Sequence, residues 1–325
     1  MVINMKLGVF TTLLSNLPLE EALKYFTSLG IQMVEIGAAG YPGNAHADPD
    51  VLLNDEKAFE QFTALIKKYN VQISALSCHG NPVHPDKKIA AAFDDGIRKT
   101  ILLAEKLGLH QINTFSGCPG DCETAKYPNW VTCPWPNDFS TVLEWQWNEV
   151  LIPYWKELVS FAGAHGVDKI ALELHPGFCV YNVDSLLRLR NAVGPQIGAN
   201  LDPSHLIWQG CEPVAVIRAL GDAIFHFHAK DTRIDKYNTA VNGVLDTKPY
   251  GDEINRSWIF RSVGYGNDAL YWKDIISNLR LVGYDYAISI EHEDSLASQN
   301  EGLTKAVSLL KECILTESVS DMWWV

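Results

Sequence analysis

The chain has 325 residues, 47% hydrophobic and 20% charged, with a formal net charge of −13. That balance is typical of a globular protein, and the length suits one large α/β domain. An acidic chain with no basic stripe argues against a polyanionic partner, so no nucleic-acid contact is expected.

The start, MVINMKLGVF, carries no charged and then apolar leader, and no run reaches the roughly 18 apolar residues of a membrane span. A cytoplasmic protein without membrane contact is the expectation. Seven cysteines, an odd number spread along the chain, read as reduced thiols. The one cluster, Cys118, Cys122 and Cys133, matches no zinc-ribbon spacing.

In chain order, one unit recurs. The opening run KLGVFTT reads as a strand and LPLEEALKYFTSL as an amphipathic helix. Then SLGIQMVEIG, KYNVQISALS, KLGLHQINTF, AHGVDKIALEL, AVGPQIGANL, ALGDAIFHFH and LVGYDYAISIE each show a helix end, a Gly or Asn, and a β-branched run. Gly30, Gly108, Gly166, Gly194, Gly221 and Gly283 are expected in the left-handed position that ends a helix, with Asn70 as the tolerated substitute. Eight strands alternating with helices predict an α/β fold, a (β/α)8 TIM barrel, spanning 1–325 as a single domain. An open doubly wound sheet is the other candidate, but KLGVFTTLLSN lacks a glycine-rich phosphate loop after the first strand.

Two connections are too long to be turns. One runs from Phe115 to Ser140 after the fourth strand, and the other from Asp231 to Asp268 after the seventh. Both leave the face where such barrels keep their active sites, so both are expected to roof a pocket.

Four of the later strands end in metal-binding residue types: Glu173 in ALELHPG, Asp202 in GANLDPSH, His228 in FHFHAKD and Glu291 in AISIEHED. Gathering several like charges at one end of a sheet is costly unless a cation neutralises them. Three carboxylates and one imidazole suit Mn²⁺, Mg²⁺, Co²⁺ or Zn²⁺. Glu173 and Glu291 are also the candidate proton-transfer groups, with His175, two residues from Glu173, as an alternative base. His205, Lys230 and Arg233 are candidate substrate contacts near the mouth. His226 reads as a satisfied core histidine. His79 and Glu35 read equally as rim groups or as structural ones, and Trp135 as an apolar wall against a sugar face or a pin for its own loop.

With those residues in place, the chain resembles the xylose isomerase-like TIM barrels, a family of sugar and sugar-phosphate isomerases and epimerases. The resemblance covers the whole barrel. It implies a divalent ion, commonly Mn²⁺, held by Glu173, Asp202, His228 and Glu291, with Asp202 and His205 matching an Asp-x-x-His pairing; His79, at the same rim, is counted among the candidate substrate contacts on its position alone. It also implies a sugar, keto-sugar or glycoside substrate. The usual arginine after the metal histidine is displaced, with Arg233 nearby and Lys230 closer.

The long loops, with GCPGD, YPNW and the RSW…VGYG segment, are similar to those of the C-glycoside deglycosidase large subunit. That branch implies a lyase acting on 3-oxo-glycosides by β-elimination, paired with a small subunit. The leading expectation is an isomerase or epimerase working through α-proton abstraction. A three-metal endonuclease would need more histidines and a basic face. A non-catalytic sugar-binding barrel would bind metal without turnover. Assembly as a homo-oligomer, or with the small subunit, is expected from the long loops and from the apolar tail Met322-Trp323-Trp324-Val325.

Overall fold

The structure is a computed structural model that describes residues 5–317, 322, 324 and 325. Eight short strands close a parallel barrel: β1 (Lys6–Phe10), β2 (Met33–Gly37), β3 (Gln72–Ser77), β4 (Gln111–Thr114), β5 (Lys169–Glu173), β6 (Ile197–Leu201), β7 (Ile224–Ala229) and, late in the chain, β10 (Ala287–Ile290). Two further strands, β8 (Asp231–Ile234) and β9 (Trp258–Arg261), pair antiparallel outside the barrel. Strand β10 lies between β1 and β7, which closes the ring.

The helices between strands bury one face each. Helix Leu19–Ser28 turns Ala22, Leu23 and Phe26 inward, and Lys87–Leu107 does the same with Ile97, Ile101, Leu103 and Ala104. These faces cover the outward-pointing strand residues, such as Val34, Ile36, Leu172 and Phe227, in one continuous core. Inward-pointing positions carry polar groups instead, Glu35, Asn113, Asn200, His226 and Ser289 among them, and all five are buried.

The helix-ending positions behave as the sequence requires at five of seven sites. Gly30, Gly108, Gly166 and Gly283 have φ of 80°, 69°, 72° and 86°, and Asn70 has 50°. Gly194 and Gly221 also have positive φ, 146° and 52°, but their ψ values of 170° and −120° lie outside the left-handed helical region. Both positions still exclude a side chain on backbone grounds.

Each long connection is tied down by one buried polar group. Gln146, in the π-helical segment Gln146–Leu151, donates its amide to the carbonyl oxygens of Pro119, Gly120 and Asn129 at 3.3, 3.0 and 2.7 Å. Asp231 anchors the second connection. Its Oδ2 accepts from the backbone N–H groups of Gly264, Gly266 and Asn267 and from Trp272 Nε1, all at 3.0–3.1 Å.

The seven cysteines are free thiols. Cys118 is buried while Cys122 and Cys133 are exposed. No helix among the described residues is long and apolar enough to cross a membrane. Of the tail, Met322, Trp324 and Val325 are exposed, and Trp323 lies outside the described residues.

Candidate metal centre

Glu173 closes β5, Asp202 and Glu291 follow β6 and β10 directly, and His228 is the penultimate residue of β7. A ligand atom from each lies within 4.8 Å of the others. Local structure aims them. Asp202 caps the short helix Pro203–Ile207 through Oδ1, which accepts from Ser204 N at 2.8 Å. That leaves Oδ2 buried and turned toward the cluster, with Lys230 Nζ at 3.0 Å and His205 Nε2 at 3.3 Å. His228 Nε2 donates to Glu35 Oε2 at 2.8 Å, so its other nitrogen, Nδ1, faces the cluster, 3.0 Å from Glu291 Oε2. Three carboxylates and an imidazole converging on one point are the donor chemistry of a hard or borderline divalent cation.

The neighbouring acid and histidine groups are less suited to the role. Glu35 is fully used by His228, Ser77, Asn113 and Ser289. His226 donates from Nδ1 to Asn200 Oδ1 and accepts at Nε2 from Ser74 Oγ, both at 3.1 Å. It is the satisfied core histidine that the sequence suggests, and burial pushes it down to about 4.

Glu173 is gripped on both oxygens, with His79 Nε2 3.0 Å from Oε2 and His205 Nε2 3.1 Å from Oε1. Burial alone would raise its carboxyl, but contacts from His205 and His79 outweigh this and hold it well below the usual range. Glu291 is likewise brought down to about 2, because Lys230 and His228 overcome the burial penalty. Asp202 goes the other way. Burial, with Glu291 and Glu173 close by, pushes it up to about 6 despite the Lys230 ammonium.

Lys230 is the least expected member. It is only 1% exposed, and its Nζ lies 3.0 Å from Asp202 Oδ2, Glu291 Oε2 and Glu293 Oε2 and 3.4 Å from His205 Nε2. Burial would lower its basicity, but the carboxylates raise it well above the ordinary lysine value. Rather than standing at the pocket edge, this ammonium sits among the candidate ligands themselves.

The sequence expectations sort cleanly on these distances. His79, Glu173, His175, His205, Lys230 and Glu291 all line one cavity of about 370 Å³ at the carboxyl end of the barrel. Asp202 and His228 lie buried against them. His175 tucks Nδ1 against the Pro176 carbonyl at 2.6 Å and packs on His205. Burial, with His205 adjacent, lowers it to about 4.

Two expected contacts do not join them. Trp135 is 74% exposed in its own loop. Arg233 alternates to the outer side of β8, where its guanidinium donates to Gly266 O at 3.1 Å. A larger cavity of about 520 Å³ opens at the other end of the barrel, around Leu109, Phe225 and Tyr284, and carries none of these groups.

Glu35 shows what the sequence left ambiguous. It is a buried carboxylate beneath the cluster, not a group at the mouth. Strand alternation was the available signal, since Val34 and Ile36 are apolar and pack outward, which turns Glu35 to the interior.

Comparison with known proteins places this geometry in a family. The profile described as "Xylose isomerase-like TIM barrel" matches residues 23–313. A protein of Bacillus subtilis (strain 168), YfiH, named as uncharacterized, is 42% identical over 312 residues, covering 95% of this chain and 99% of its own.

Among solved structures, a D-tagatose 3-epimerase-like protein superposes with a TM-score of 0.64 at 21% identity, covering 95% of this chain and 96% of its own. The probable 3-DHS dehydratase AsbF of Bacillus anthracis gives 0.64 at 17%, covering 94% and 99%. The D-psicose 3-epimerase of Clostridium cellulolyticum H10, with D-tagatose, gives 0.60 at 13%, covering 95% and 98%. At these identities the structures speak for the fold. With the profile match over most of the sequence, the chain belongs to the xylose isomerase-like TIM barrel family.

Proposed function

We propose that this protein is a divalent-metal-dependent isomerase or epimerase of a sugar or keto-sugar, with Glu173, Asp202, His228 Nδ1 and Glu291 as the metal ligands. The observation that carries it is the convergence of those four groups on one buried point, where three carboxylates meet one imidazole. The donor set favours Mn²⁺ first and admits Mg²⁺, Co²⁺ or Zn²⁺. A cation bound there supplies Lewis-acid stabilisation to the oxygen on which charge develops when a C–H beside a carbonyl loses its proton.

The chain's own residues do the rest. Glu173 and Glu291 come from strands on different sides of the mouth, and both stay ionised at neutral pH. One carboxylate takes the α-proton and the other returns a proton. Return to the same carbon from the opposite face inverts it, whereas return to the neighbouring carbon interconverts aldose and ketose. His79 and His205 hold the Glu173 carboxylate in place. Lys230, held by Asp202, Glu291 and Glu293, sets a positive charge beside the place where charge develops on a substrate oxygen. Phe10, Phe115 and Tyr41 wall the cavity.

The reading is tested by incubating the Mn²⁺-loaded protein with pairs of ketohexoses that differ at C3 and following their interconversion, beside elemental analysis of Asp202→Ala and His228→Ala. Interconversion and one ion per chain, lost in both variants, are expected. Full metal occupancy in either variant would remove the site.

A further inference from the structure

Five cations lie in the connection from Asp231 to Asp268. Two are matched, Lys248 by Asp246 and Arg261 by Asp294, each at 3.1 Å. The other three, Arg233, Lys236 and Arg256, form no ion pair among the described residues, and all three line one cavity of about 240 Å³. Asp235 and Glu253 line it too, and neither comes within ion-pair distance of those cations. The wall therefore keeps an excess of positive charge in a chain whose formal net charge is −13.

Arg256 is the decisive member, because it is only 2% exposed. Its Nε donates to Trp258 O at 3.1 Å and its Nη1 to Lys248 O. Carbonyl oxygens satisfy donors but bring no counter-charge. The guanidinium also lies over the rings of Tyr250 and Trp258, 4.5 and 4.6 Å from their centroids. Ring faces attract a cation, yet they replace only part of the hydration that burial removes. A buried cation with no partner is costly, and an anion in the cavity would remove that cost.

Two guanidinium groups and one ammonium are a donor set for a tetrahedral oxyanion. Arginine meets phosphate oxygens in pairs, and lysine adds a point charge. Arg233 gives Nη1 to Gly266 O at 3.1 Å, which fixes the direction of its fork. The cavity is smaller than the sites that enclose a whole drug-sized ligand, about 300–1,000 Å³, and suits a small anionic group. It shares no lining residue with the cavity at the candidate metal centre.

We propose that this cavity is an anion site, distinct from the metal centre, which takes free phosphate or the phosphate group of a small ester. The anion ties β8, through Arg233, to the helix Lys236–Asn242 and to Arg256 just before β9. It thereby braces the connection that brings the Phe260 ring to 4.7 Å from Lys230 Nζ. The proposal does not depend on the isomerase reading.

The test is calorimetric titration of the full-length chain, as purified, with inorganic phosphate, glycerol 3-phosphate and acetate, at an ionic strength held constant with sodium chloride. Phosphate should bind and raise Tm, as a ligand of the folded state does, and acetate should bind at least ten-fold more weakly. The double variant Arg233→Gln, Lys236→Gln alters two exposed side chains. It should weaken phosphate binding ten-fold or more and leave Mn²⁺ binding at wild-type strength. Arg256→Gln should abolish phosphate binding, and the double variant keeps the test decisive if Arg256→Gln does not fold.

An absence of phosphate binding above the sodium chloride background overturns the site, and so does undiminished binding in the double variant. Acetate binding as tightly as phosphate overturns the assignment to a phosphate group. The order of glycerol 3-phosphate and free phosphate tells which source fills the site, and either order upholds it.

Discussion

His228 Nε2 donates to Glu35 Oε2 at 2.8 Å, and that one bond decides which nitrogen of the imidazole faces the candidate metal. Glu35 is in turn held by Ser77, Asn113 and Ser289, so the carboxylate below His228 has no other orientation open to it. Burial works against its ionised form, but the charges of His228 and His226 and hydrogen bonds from His228 and Ser77 keep it well below the usual carboxylate range. Such outer partners fix the tautomer of a ligating histidine and typically matter by about 10- to 100-fold in metal affinity. Glu35→Ala should therefore weaken Mn²⁺ binding by that order while all four ligands remain. A metal titration of the folded variant checks it, and unchanged affinity would assign Glu35 to barrel packing alone.

Lys230 places a positive charge 3.0 Å from both Asp202 and Glu291, two of the proposed ligands. Like charges repel at that range, and more strongly in a buried site than in water. Replacing Lys230 by Met should raise Mn²⁺ affinity several-fold. The metal-stripped protein should become less stable, because buried carboxylates lose their counter-ion. Titration and melting of the same variant measure the two opposite changes. Weaker metal binding with unchanged stability would contradict the arrangement.

The pH dependence follows from Asp202, whose carboxyl is pushed up to about 6 by burial from an ordinary value of 3.8. The folded chain holds that proton more tightly than the unfolded one. The stability of the metal-stripped protein therefore falls as pH rises through the window between the two values, and the full cost is present above about 6. A cation recovers that cost and also displaces any proton on His228, whose basicity is raised by Glu35 and Glu291 against the effect of burial. The rise in Tm on adding a fixed excess of Mn²⁺ should thus be larger at pH 7.5 than at pH 5. Equal shifts at both values would detach Asp202 from the site.

The barrel and its four converging groups were legible because both rest on local pattern. Asn70 and the glycines mark helix ends, and Glu173, Asp202, His228 and Glu291 terminate apolar runs, so equivalent strand ends meet in space. What lay beyond local pattern was side-chain direction after the strands end. Lys230 and Arg233 are three residues apart in one polar run, yet the first turns into the cluster and the second onto Gly266. His226, His228 and Lys230 share one parity, which pointed Lys230 inward. Nothing in the sequence showed that Asp231 would begin a new strand and reverse the path. Trp135 likewise looked like a pocket wall from composition, but the loop carries it into solvent, a course that no short window of sequence contains.

Proton transfer by Glu173 and Glu291 at the carbon beside a substrate carbonyl is the central proposal, and solvent exchange of the α-proton measures it most directly. The Mn²⁺-loaded protein should incorporate deuterium from D₂O at the carbon beside the carbonyl of a keto-sugar. Glu173→Gln and Glu291→Gln variants that retain bound metal should each slow that exchange by about 10²-fold or more, the usual scale for losing a positioned acid or base. Exchange at the wild-type rate in both metal-loaded variants would contradict the assignment.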